Sequence, residues 1–371
     1  MSKILIQEAK KYESEGNISR AIISFKKALQ LEPENYIIQL ELGNLCASNK
    51  QFEEAAGYFR RCLYQFKDNI EIKNALCFSL TSFGNEYYLE SNFQLSEACF
   101  EEVLEYEKSN WVYYYNLANT QDKLNKISKA YENYQKAIRL NPNDADLWNN
   151  NGNSERKLGY LDKALISYES ALKIKPALFH ALAHFTHQKQ HMCNWHDIDK
   201  YFQKICSVVN TNAEALISPF AFVSNPLSSS QDQLICANQW TQNHFKDRPF
   251  KKEKWKQKNK VRIGYLSSDF KLHPLYFLIR DVIRYHNRDI FDIYAYDASP
   301  HENTNERNTL ISLFDFYRDI SSLNDEKAIS LINNDEIDIF IDLTGYTNNS
   351  RAFIAPQLKN TTTINWLGYP G

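Results

Sequence analysis

The chain has 371 residues, of which 43% are hydrophobic and 24% are charged, and its formal net charge is −2. This balance is typical of a soluble globular protein of about two or three domains, and it argues against a general nucleic-acid binder because contact with phosphates needs a basic surplus. The residues from Met1 to Lys11 are too polar for a signal peptide and no apolar run reaches the roughly 18 residues of a membrane-spanning helix, so we expect a cytoplasmic protein.

The first half of the chain repeats at an interval of 34 residues. Identical residues recur at this interval in four pairs: Ala130 and Ala164, Tyr134 and Tyr168, Ala137 and Ala171, and Pro142 and Pro176. This is the period of the tetratricopeptide repeat, a pair of helices that must stack on its neighbours to bury its apolar face. Phe25, Phe59 and Phe100 occupy the same aromatic position as Tyr134 and Tyr168. The pattern predicts an α superhelical solenoid of about five repeats over residues 1–176.

The third repeat is irregular, because Phe59 and Phe100 are separated by 41 residues. This longer interval predicts an insertion of about one helical turn, or a longer loop, near Gly84 to Phe93.

Asparagine recurs in the first helix of these repeats, which lines the concave surface of such a solenoid. The recurring positions are Asn44, Asn116, Asn119, Asn150 and Asn153. An asparagine amide both donates and accepts, so a ladder of amides can bind the backbone of an extended peptide without reading its side chains. We predict a peptide-binding groove here; the alternative is a chain that is simply rich in asparagine.

Residues 177–258 lose the 34-residue period but remain helical in pattern, which predicts a helical connector that ends in a lysine-rich linker from Lys251 to Lys260. The segment contains five histidines, several of which are three or four residues apart, as on one face of a helix: His180, His184, His187, His191 and His196. No carboxylate or cysteine completes a ligand set, so we predict no metal site. The seven cysteines form no C-x-x-C pair and are expected to be reduced thiols.

From residue 259 onward, short apolar runs alternate with helical stretches. Strands are predicted at Val261 to Leu266, Phe291 to Tyr296, Phe316 to Ile320, Ile337 to Leu343 and Thr363 to Leu367, with helices near 275–286, 304–314 and 325–334. This order predicts an α/β, Rossmann-like parallel sheet, whose ligand sites lie at the carboxyl ends of the strands. Neither a G-x-G-x-x-G nor a P-loop motif is present, so a dinucleotide-binding or P-loop enzyme is not expected.

Three motifs lie at or near these strand ends. They are Ile263-Gly264-Tyr265-Leu266-Ser267-Ser268-Asp269-Phe270 with His273-Pro274, Asp342-Leu343-Thr344-Gly345-Tyr346-Thr347 with Arg351, and Trp366-Leu367-Gly368-Tyr369-Pro370-Gly371. In order and spacing they resemble the motifs of the protein O-GlcNAc transferase and SPINDLY family of glycosyltransferases. The resemblance implies that residues 259–371 are the N-terminal lobe of an inverting GT-B enzyme that needs no metal or cofactor. It also implies that a second lobe with most of the donor contacts follows the last motif, so the chain as given is expected to transfer sugar poorly alone.

The resemblance and the positions of the residues together suggest the site. His273 opens a helix after a strand, where its imidazole could polarise an acceptor hydroxyl or a sugar-phosphate oxygen; the alternative is a histidine that only caps the helix. Asp342 ends a strand and could accept a proton from the attacking hydroxyl. Arg351 could meet a phosphate or an acidic neighbour. The remaining residues expected to line the cleft are Thr344, Gly345, Tyr346, Thr347, Gly368, Tyr369 and Pro370.

The function that the resemblance implies is transfer of GlcNAc from UDP-GlcNAc to serine or threonine, with the repeats binding the acceptor protein. Two alternatives stay open from the sequence: fucose transfer from a GDP donor, and a repeat scaffold with a vestigial catalytic half. The expected partners are protein or peptide acceptors and a nucleotide sugar, with no nucleic acid or membrane; self-association through the solenoid is left open.

Overall fold

The computed structural model describes residues 1–244, 259–300, 302–347 and 349–368. Most of the predicted linker from Lys251 to Lys260 lies outside these residues, as do Tyr369, Pro370 and Gly371. The chain forms two compact units, Met1–Pro176 and Ala177–Gly371. Among the described residues, no helix combines the length and the apolar character needed to cross a bilayer.

The first unit, all of which is described, consists of helices that pack in successive pairs. They are α1 (Ser2–Ser14), α2 (Ile18–Leu31), α3 (Tyr36–Ser48), α4 (Phe52–Gln65), α5 (Ile70–Leu89), α6 (Phe93–Tyr106), α7 (Trp111–Lys123), α8 (Ile127–Leu140), α9 (Ala145–Lys157) and α10 (Leu161–Ile174). The predicted solenoid of helix pairs is therefore confirmed.

Short polar side chains set the starts of the first helices in these pairs. Asn35, Asn69, Asn110 and Asp144 each precede a helix and accept a hydrogen bond from a backbone N–H two or three residues ahead. Such caps satisfy N–H groups that have no partner inside the helix. Part of the asparagine content of the chain therefore serves helix capping.

One aromatic side chain per pair fills the space against the preceding helix. The aromatic residues Phe25, Phe59, Phe100, Tyr134 and Tyr168 are each at most 2% exposed. The facing helix carries a small residue, because a Cβ atom on Gly43 would lie 2.7 Å from the Phe59 ring and one on Gly152 would lie 2.7 Å from the Tyr168 ring. The 34-residue rhythm thus records a repeated contact between a ring and a small residue.

The position predicted for the insertion in the third repeat is wrong. Helix α5 has 20 residues where α3 has 13, and both helices end five residues after the glycine that faces the aromatic ring, Gly84 or Gly43. The extra residues therefore lie in the first half of α5, ahead of Gly84. They form about two helical turns, since a turn contains 3.6 residues.

The second unit begins with helices in the segment predicted as a connector. They are α11 (Phe179–His191), α12 (Ile198–Thr211), α13 (Pro219–Val223) and α14 (Ser230–His244). The rings of His187 and His191 lie 4.4 Å apart on α11. Within the described ranges, no group of three or more histidine, cysteine, aspartate or glutamate side chains is arranged to hold a metal ion.

The rest of the second unit is a parallel sheet with helices on both faces. Its elements in the described residues are β1 (Val261–Ser267), α15 (Pro274–Arg284), β2 (Phe291–Asp297), α16 (Asn305–Ile311), β3 (Phe316–Asp319), α17 (Asp325–Asn334), β4 (Ile339–Asp342), a 3₁₀ turn (Ala355–Gln357) and β5 (Thr362–Asn365). The predicted strands and helices are present, with ends shifted by a few residues. The Rossmann-like lobe is therefore confirmed.

The strand order is β3-β2-β1-β4-β5, and every neighbouring pair is parallel. The chain moves outward from β1 to β3 and then crosses to the other side of β1 to form β4 and β5. Ligands bind such sheets in the crevice where the strand order reverses, at the carboxyl ends of the strands. The order thus directs attention to the loops after β1 and β4.

Candidate functional site

The loops after β1 and β4 lie side by side at this reversal of strand order. Leu266 pairs with Asp342 at the ends of the two strands. Beyond them the backbone N–H of Ser268 donates to the hydroxyl oxygen of Thr344 at 3.1 Å, and both residues are buried. The predicted site residues His273 and Thr344 therefore belong to two loops that are joined by a hydrogen bond.

His273 is the N-cap of α15. Its Nδ1 accepts a hydrogen bond from the Leu275 backbone N–H at 3.2 Å. A neutral imidazole carries one ring proton, so with Nδ1 as the acceptor that proton is on Nε2. The ring is exposed and borders an open, mostly apolar depression of about 390 Å³ with Leu272, Pro274, Phe277 and Leu278. The capping role left open by the sequence is thus present, and it leaves Nε2 as a hydrogen-bond donor.

Asp342 is 5% exposed and closes the turn that follows β4. Its Oδ1 accepts hydrogen bonds from the backbone N–H groups of Thr344 at 2.9 Å and Gly345 at 3.1 Å. Burial raises the pKa of the Asp342 carboxyl above its ordinary value of 3.8, and the two backbone hydrogen bonds oppose this rise. The Asp342 carboxylate therefore fixes the Thr344–Gly345 turn, whereas its role in proton transfer stays a prediction.

Replacing Asp342 with asparagine separates its charge from its hydrogen bonds. The amide oxygen can still accept both N–H groups, so we expect the free energy of unfolding near neutral pH to change by less than about 1 kcal/mol. Asp342→Ala leaves both N–H groups without their acceptor and should cost about 1–3 kcal/mol.

The pH dependence of stability shows whether the charge of Asp342 stabilises or destabilises the folded state. The pKa of Asp342 is raised in the folded state, so its carboxyl contributes most to the free energy of unfolding below pH 3.8. This contribution is lost as pH rises through the raised pKa. Relative to the wild type, Asp342→Asn should therefore gain stability as pH increases across the acid range. Urea unfolding at several pH values, followed by hydrogen exchange in β1 and β4, measures this; the opposite slope would contradict the assigned burial effect.

Gly345 and Gly368 allow two backbone segments to approach closely beside this turn. Gly345 has a φ of 57°, in the left-handed region that favours glycine. A Cβ atom on Gly368 would lie 2.5 Å from the Gly345 backbone nitrogen. Tyr346 and Thr347 follow in the same loop and are half-buried. The third motif therefore lies against the second at Gly345, while its last residues Tyr369 and Pro370 lie outside the described residues.

Arg351 is engaged with neighbouring protein groups. Its Nε donates to Asp325 at 2.6 Å, and its Nη1 donates to the Ile320 backbone oxygen at 3.0 Å. Of the two roles considered from the sequence, the structure shows the acidic neighbour. Arg351 connects the loop after β4 with the end of β3, through Ile320, and with the start of α17, through Asp325.

A buried polar cluster that sequence reasoning missed supports the loop that carries His273. Arg307 on α16 pairs with Asp297 at the end of β2 at 2.6 Å, and their side chains are 6% and 0% exposed. Arg307 Nη1 also donates to the Phe270 backbone oxygen at 2.9 Å. The Phe270 N–H donates to the Ser299 hydroxyl oxygen at 2.8 Å. Both backbone groups of Phe270, three residues before His273, are thus fixed by residues that follow β2.

Three of the five predicted groove asparagines line a polar cavity of about 190 Å³ in the first unit, whereas Asn44 and Asn116 do not. It is lined by Tyr88, Asn119, Asp122, Lys123, Tyr134, Asn150 and Asn153. Asn150 Nδ2 donates to Asn119 Oδ1 and to the Tyr115 hydroxyl oxygen, both at 3.1 Å. First helices of three successive pairs, α5, α7 and α9, contribute to this lining. Asn44 is exposed on α3, and Asn116 is half-buried on α7.

Asn85 also belongs to this set, although sequence reasoning missed it. It follows the ring-facing Gly84 by one residue, as Asn44 follows Gly43 and Asn153 follows Gly152. Asn116 Nδ2 lies 3.5 Å from Asn85 Oδ1. The signal was present in the sequence, since adding the irregular interval of 41 to position 44 gives position 85.

Comparison with known proteins gives matches both in the helical repeats and in the region that contains the parallel sheet. Residues 192–371 match the model of glycosyl transferase family 41, and residues 13–76, 111–144 and 145–178 match tetratricopeptide repeat models. A probable UDP-N-acetylglucosamine–peptide N-acetylglucosaminyltransferase SEC of Arabidopsis thaliana is 28% identical over 202 residues, which are 50% of this chain and 20% of that protein. The UDP-N-acetylglucosamine–peptide N-acetylglucosaminyltransferase of Caenorhabditis elegans is 26% identical, over 49% of this chain and 17% of that protein.

Among solved structures, a mutant of the Thermobaculum terrenum O-GlcNAc transferase aligns with a TM-score of 0.47 at 21% identity, covering 80% of this chain and 51% of that one. The chain spans about a fifth of the length of the two curated relatives. The family resemblance carried by the three motifs is confirmed. Residues 192–371 of this chain therefore resemble glycosyl transferase family 41, and matches to tetratricopeptide repeats precede them.

Proposed function

We propose that the native protein is a protein O-linked glycosyltransferase that moves GlcNAc from UDP-GlcNAc to serine or threonine, and that its repeats hold the acceptor. The observation that carries this proposal is the position of His273 and the Asp342–Gly345 turn at the reversal of strand order within a family 41 region. The names of the two curated relatives support UDP-GlcNAc as the donor and a peptide as the acceptor.

The chemistry proposed for His273 follows from its hydrogen bond to Leu275. With Nδ1 occupied by the helix cap, the neutral ring offers Nε2–H to an oxygen of the substrate. A donor at this place stabilises negative charge on a sugar-phosphate oxygen as the bond to the nucleotide breaks, or orients the attacking hydroxyl. We therefore propose His273 as an electrostatic catalyst and not as the base.

The cleft around this histidine is proposed to consist of Thr344, Gly345, Tyr346, Thr347, Arg351 and Gly368. Arg351 is held by Asp325 and Ile320, so we assign it a supporting role in the loop. No metal or cofactor takes part in the proposed reaction. We also propose a cytoplasmic location, which suits seven cysteines that are all free thiols.

Neither alternative function has an observation of its own in the described residues. Fucose transfer from a GDP donor and a scaffold with a vestigial catalytic half are therefore outcomes of the test, and we do not propose them.

Substitutions at His273 can separate catalysis from helix capping. Asparagine is a good N-cap, so His273→Asn should keep the stability of the second unit while it lowers the transfer rate by about 100-fold. His273→Ala loses the cap as well and should cost about 1 kcal/mol of stability. The assay is transfer of radioactive GlcNAc from UDP-GlcNAc to extract proteins of cells that lack the gene.

Two results would contradict the proposal in different ways. Wild-type activity in His273→Asn would remove His273 from the mechanism and leave the overall function standing. No transfer by the wild-type protein purified at its native length would contradict the function itself.

A further inference from the structure

Two of the five repeated aromatic residues are tyrosines, and each binds an asparagine of the groove. The Tyr134 hydroxyl donates to Asn119 Oδ1 at 2.6 Å, and the Tyr168 hydroxyl donates to Asn153 Oδ1 at 2.9 Å. Both tyrosines are at most 2% exposed. The ring side faces the small residue of the neighbouring helix, and the hydroxyl reaches the groove.

The same spacing occurs with phenylalanine in the two preceding repeats. Tyr134 and Tyr168 each follow their asparagine by 15 residues, as Phe59 follows Asn44 and Phe100 follows Asn85. Phenylalanine has no hydroxyl, so it cannot donate to the amide. The groove thus contains two kinds of asparagine at equivalent positions.

The hydrogen bonds around Asn119 fix the orientation of its amide. Its Oδ1 accepts from the Tyr134 hydroxyl and from Asn150 Nδ2, and a carbonyl oxygen has two lone pairs. Asn150 is itself oriented, because its Oδ1 accepts from Asn149 Nδ2 at 3.1 Å. Rotating the Asn119 amide by half a turn would place its NH₂ group against the NH₂ group of Asn150. The Asn119 amide can therefore act on a ligand only as a donor, through its Nδ2 group. That group also interacts with the Tyr115 hydroxyl, which leaves one of its two N–H donors for the ligand.

Both tyrosine hydroxyls stay protonated near neutral pH. Burial raises the pKa of Tyr134 well above its ordinary value and raises the pKa of Tyr168 to about 12. Asn119 and Asn153 both line the 190 Å³ cavity, so both residues border space that a ligand can enter.

We propose that Tyr134 and Tyr168 are positioning residues that hold Asn119 and Asn153 as donors, so that this half of the groove binds backbone carbonyl groups of an extended peptide. The inference rests on the proposed role of the repeats in holding the acceptor, and it defines what part of the peptide is recognised there. A donor that meets backbone carbonyls accepts many sequences, because every residue has such a carbonyl.

The test is binding of an uncharged probe to the full chain. The probe is a fluorescein-labelled peptide of serine, threonine, alanine, proline and valine, made in two sequence orders of the same composition. Fluorescence anisotropy should give similar Kd values for the two orders. The double variant Tyr134→Phe/Tyr168→Phe should weaken binding by about tenfold, since each lost hydrogen bond is worth about a factor of two to ten.

The chain supplies its own controls. Phenylalanine already fills the equivalent positions 59 and 100, so the variants Tyr134→Phe and Tyr168→Phe should fold, as circular dichroism can verify. The reciprocal change Phe100→Tyr adds a hydroxyl opposite Asn85 and should tighten binding by about twofold to fivefold. A purely structural role for the tyrosines would not predict this gain.

Three results separate the inference from the groove on which it depends. Weakening by the tyrosine variants together with tightening by Phe100→Tyr supports the inference. If Asn119→Ala/Asn153→Ala weakens binding while Tyr134→Phe/Tyr168→Phe binds like the wild type, the positioning role is wrong and the groove stands. If the asparagine variant binds like the wild type, or the wild type does not bind the probe, both the groove and the inference are wrong.

Discussion

Replacing Arg307 with methionine is expected to destabilise the second unit by about 3–5 kcal/mol, because the change leaves the carboxylate of Asp297 buried without its partner. Asp297 is fully buried, and the 2.6 Å pair is completed by the Tyr317 hydroxyl, which donates to the same carboxylate oxygen at 3.0 Å. Burial raises the pKa of Tyr317 to about 12, so this hydroxyl keeps its proton. Methionine fills a similar volume, and the loss therefore reports the missing charge and the missing hydrogen bond to the Phe270 backbone oxygen, and not a cavity.

The measurement is urea unfolding with hydrogen exchange in β1 and β2, which reports the second unit separately from the repeats. Arg284→Met is the matched control, because Arg284 forms an exposed pair with Asp281 on α15 at 3.2 Å. Exposed pairs contribute little, so the control should unfold at the same urea concentration as the wild type. A loss below about 1 kcal/mol for Arg307→Met would show that the buried pair does not hold this unit together.

The second large expected effect is that the same substitution, glycine to alanine, destabilises the solenoid in one helix and stabilises it in the next. Gly43→Ala on α3 places a Cβ atom 2.7 to 3.0 Å from three ring carbons of Phe59, whose side chain is 1% exposed and packed in the core of the repeats. We expect it to destabilise the solenoid by about 1–3 kcal/mol. Gly57 on α4 has no atom within 4 Å of the corresponding position, so Gly57→Ala should stabilise the helix by roughly 0.5–1 kcal/mol.

Thermal unfolding followed by helical circular dichroism distinguishes the two variants. The helix propensities of the new alanines are equal, so the difference between the melting temperatures isolates the contact of Gly43 with Phe59. Equal shifts in both variants would contradict the packing of a ring against a glycine as the origin of the repeat.

The architecture could be predicted because it depends on repeated local patterns. The 34-residue interval reflects the contact of Tyr168 with Gly152, and short apolar runs in the sequence mark β1 and β2. The insertion in α5 was assigned to the wrong side of Gly84 because an interval gives the number of added residues and not their place within a helix.

The candidate site was predicted only in part. The strand ends and motifs identified His273 and the Thr344–Gly345 turn, and the sequence offered helix capping for His273 as an alternative. The contacts of Arg307 with Asp297 and Phe270 could not be predicted from the sequence, because they join three separate segments whose proximity depends on the strand order. Similarly, the difference between Phe100 and Tyr134 gains meaning only once their positions relative to Asn85 and Asn119 are known.

Competition between two donors tests the central claim most directly. The protein at its native length is incubated with equal amounts of UDP-GlcNAc and GDP-fucose and with an extract of cells that lack the gene, and the products are examined by mass spectrometry. The account predicts N-acetylhexosamine on serine and threonine, strongly reduced in His273→Asn. Deoxyhexose on these residues, or no sugar at all while the repeats still bind peptides, would contradict it.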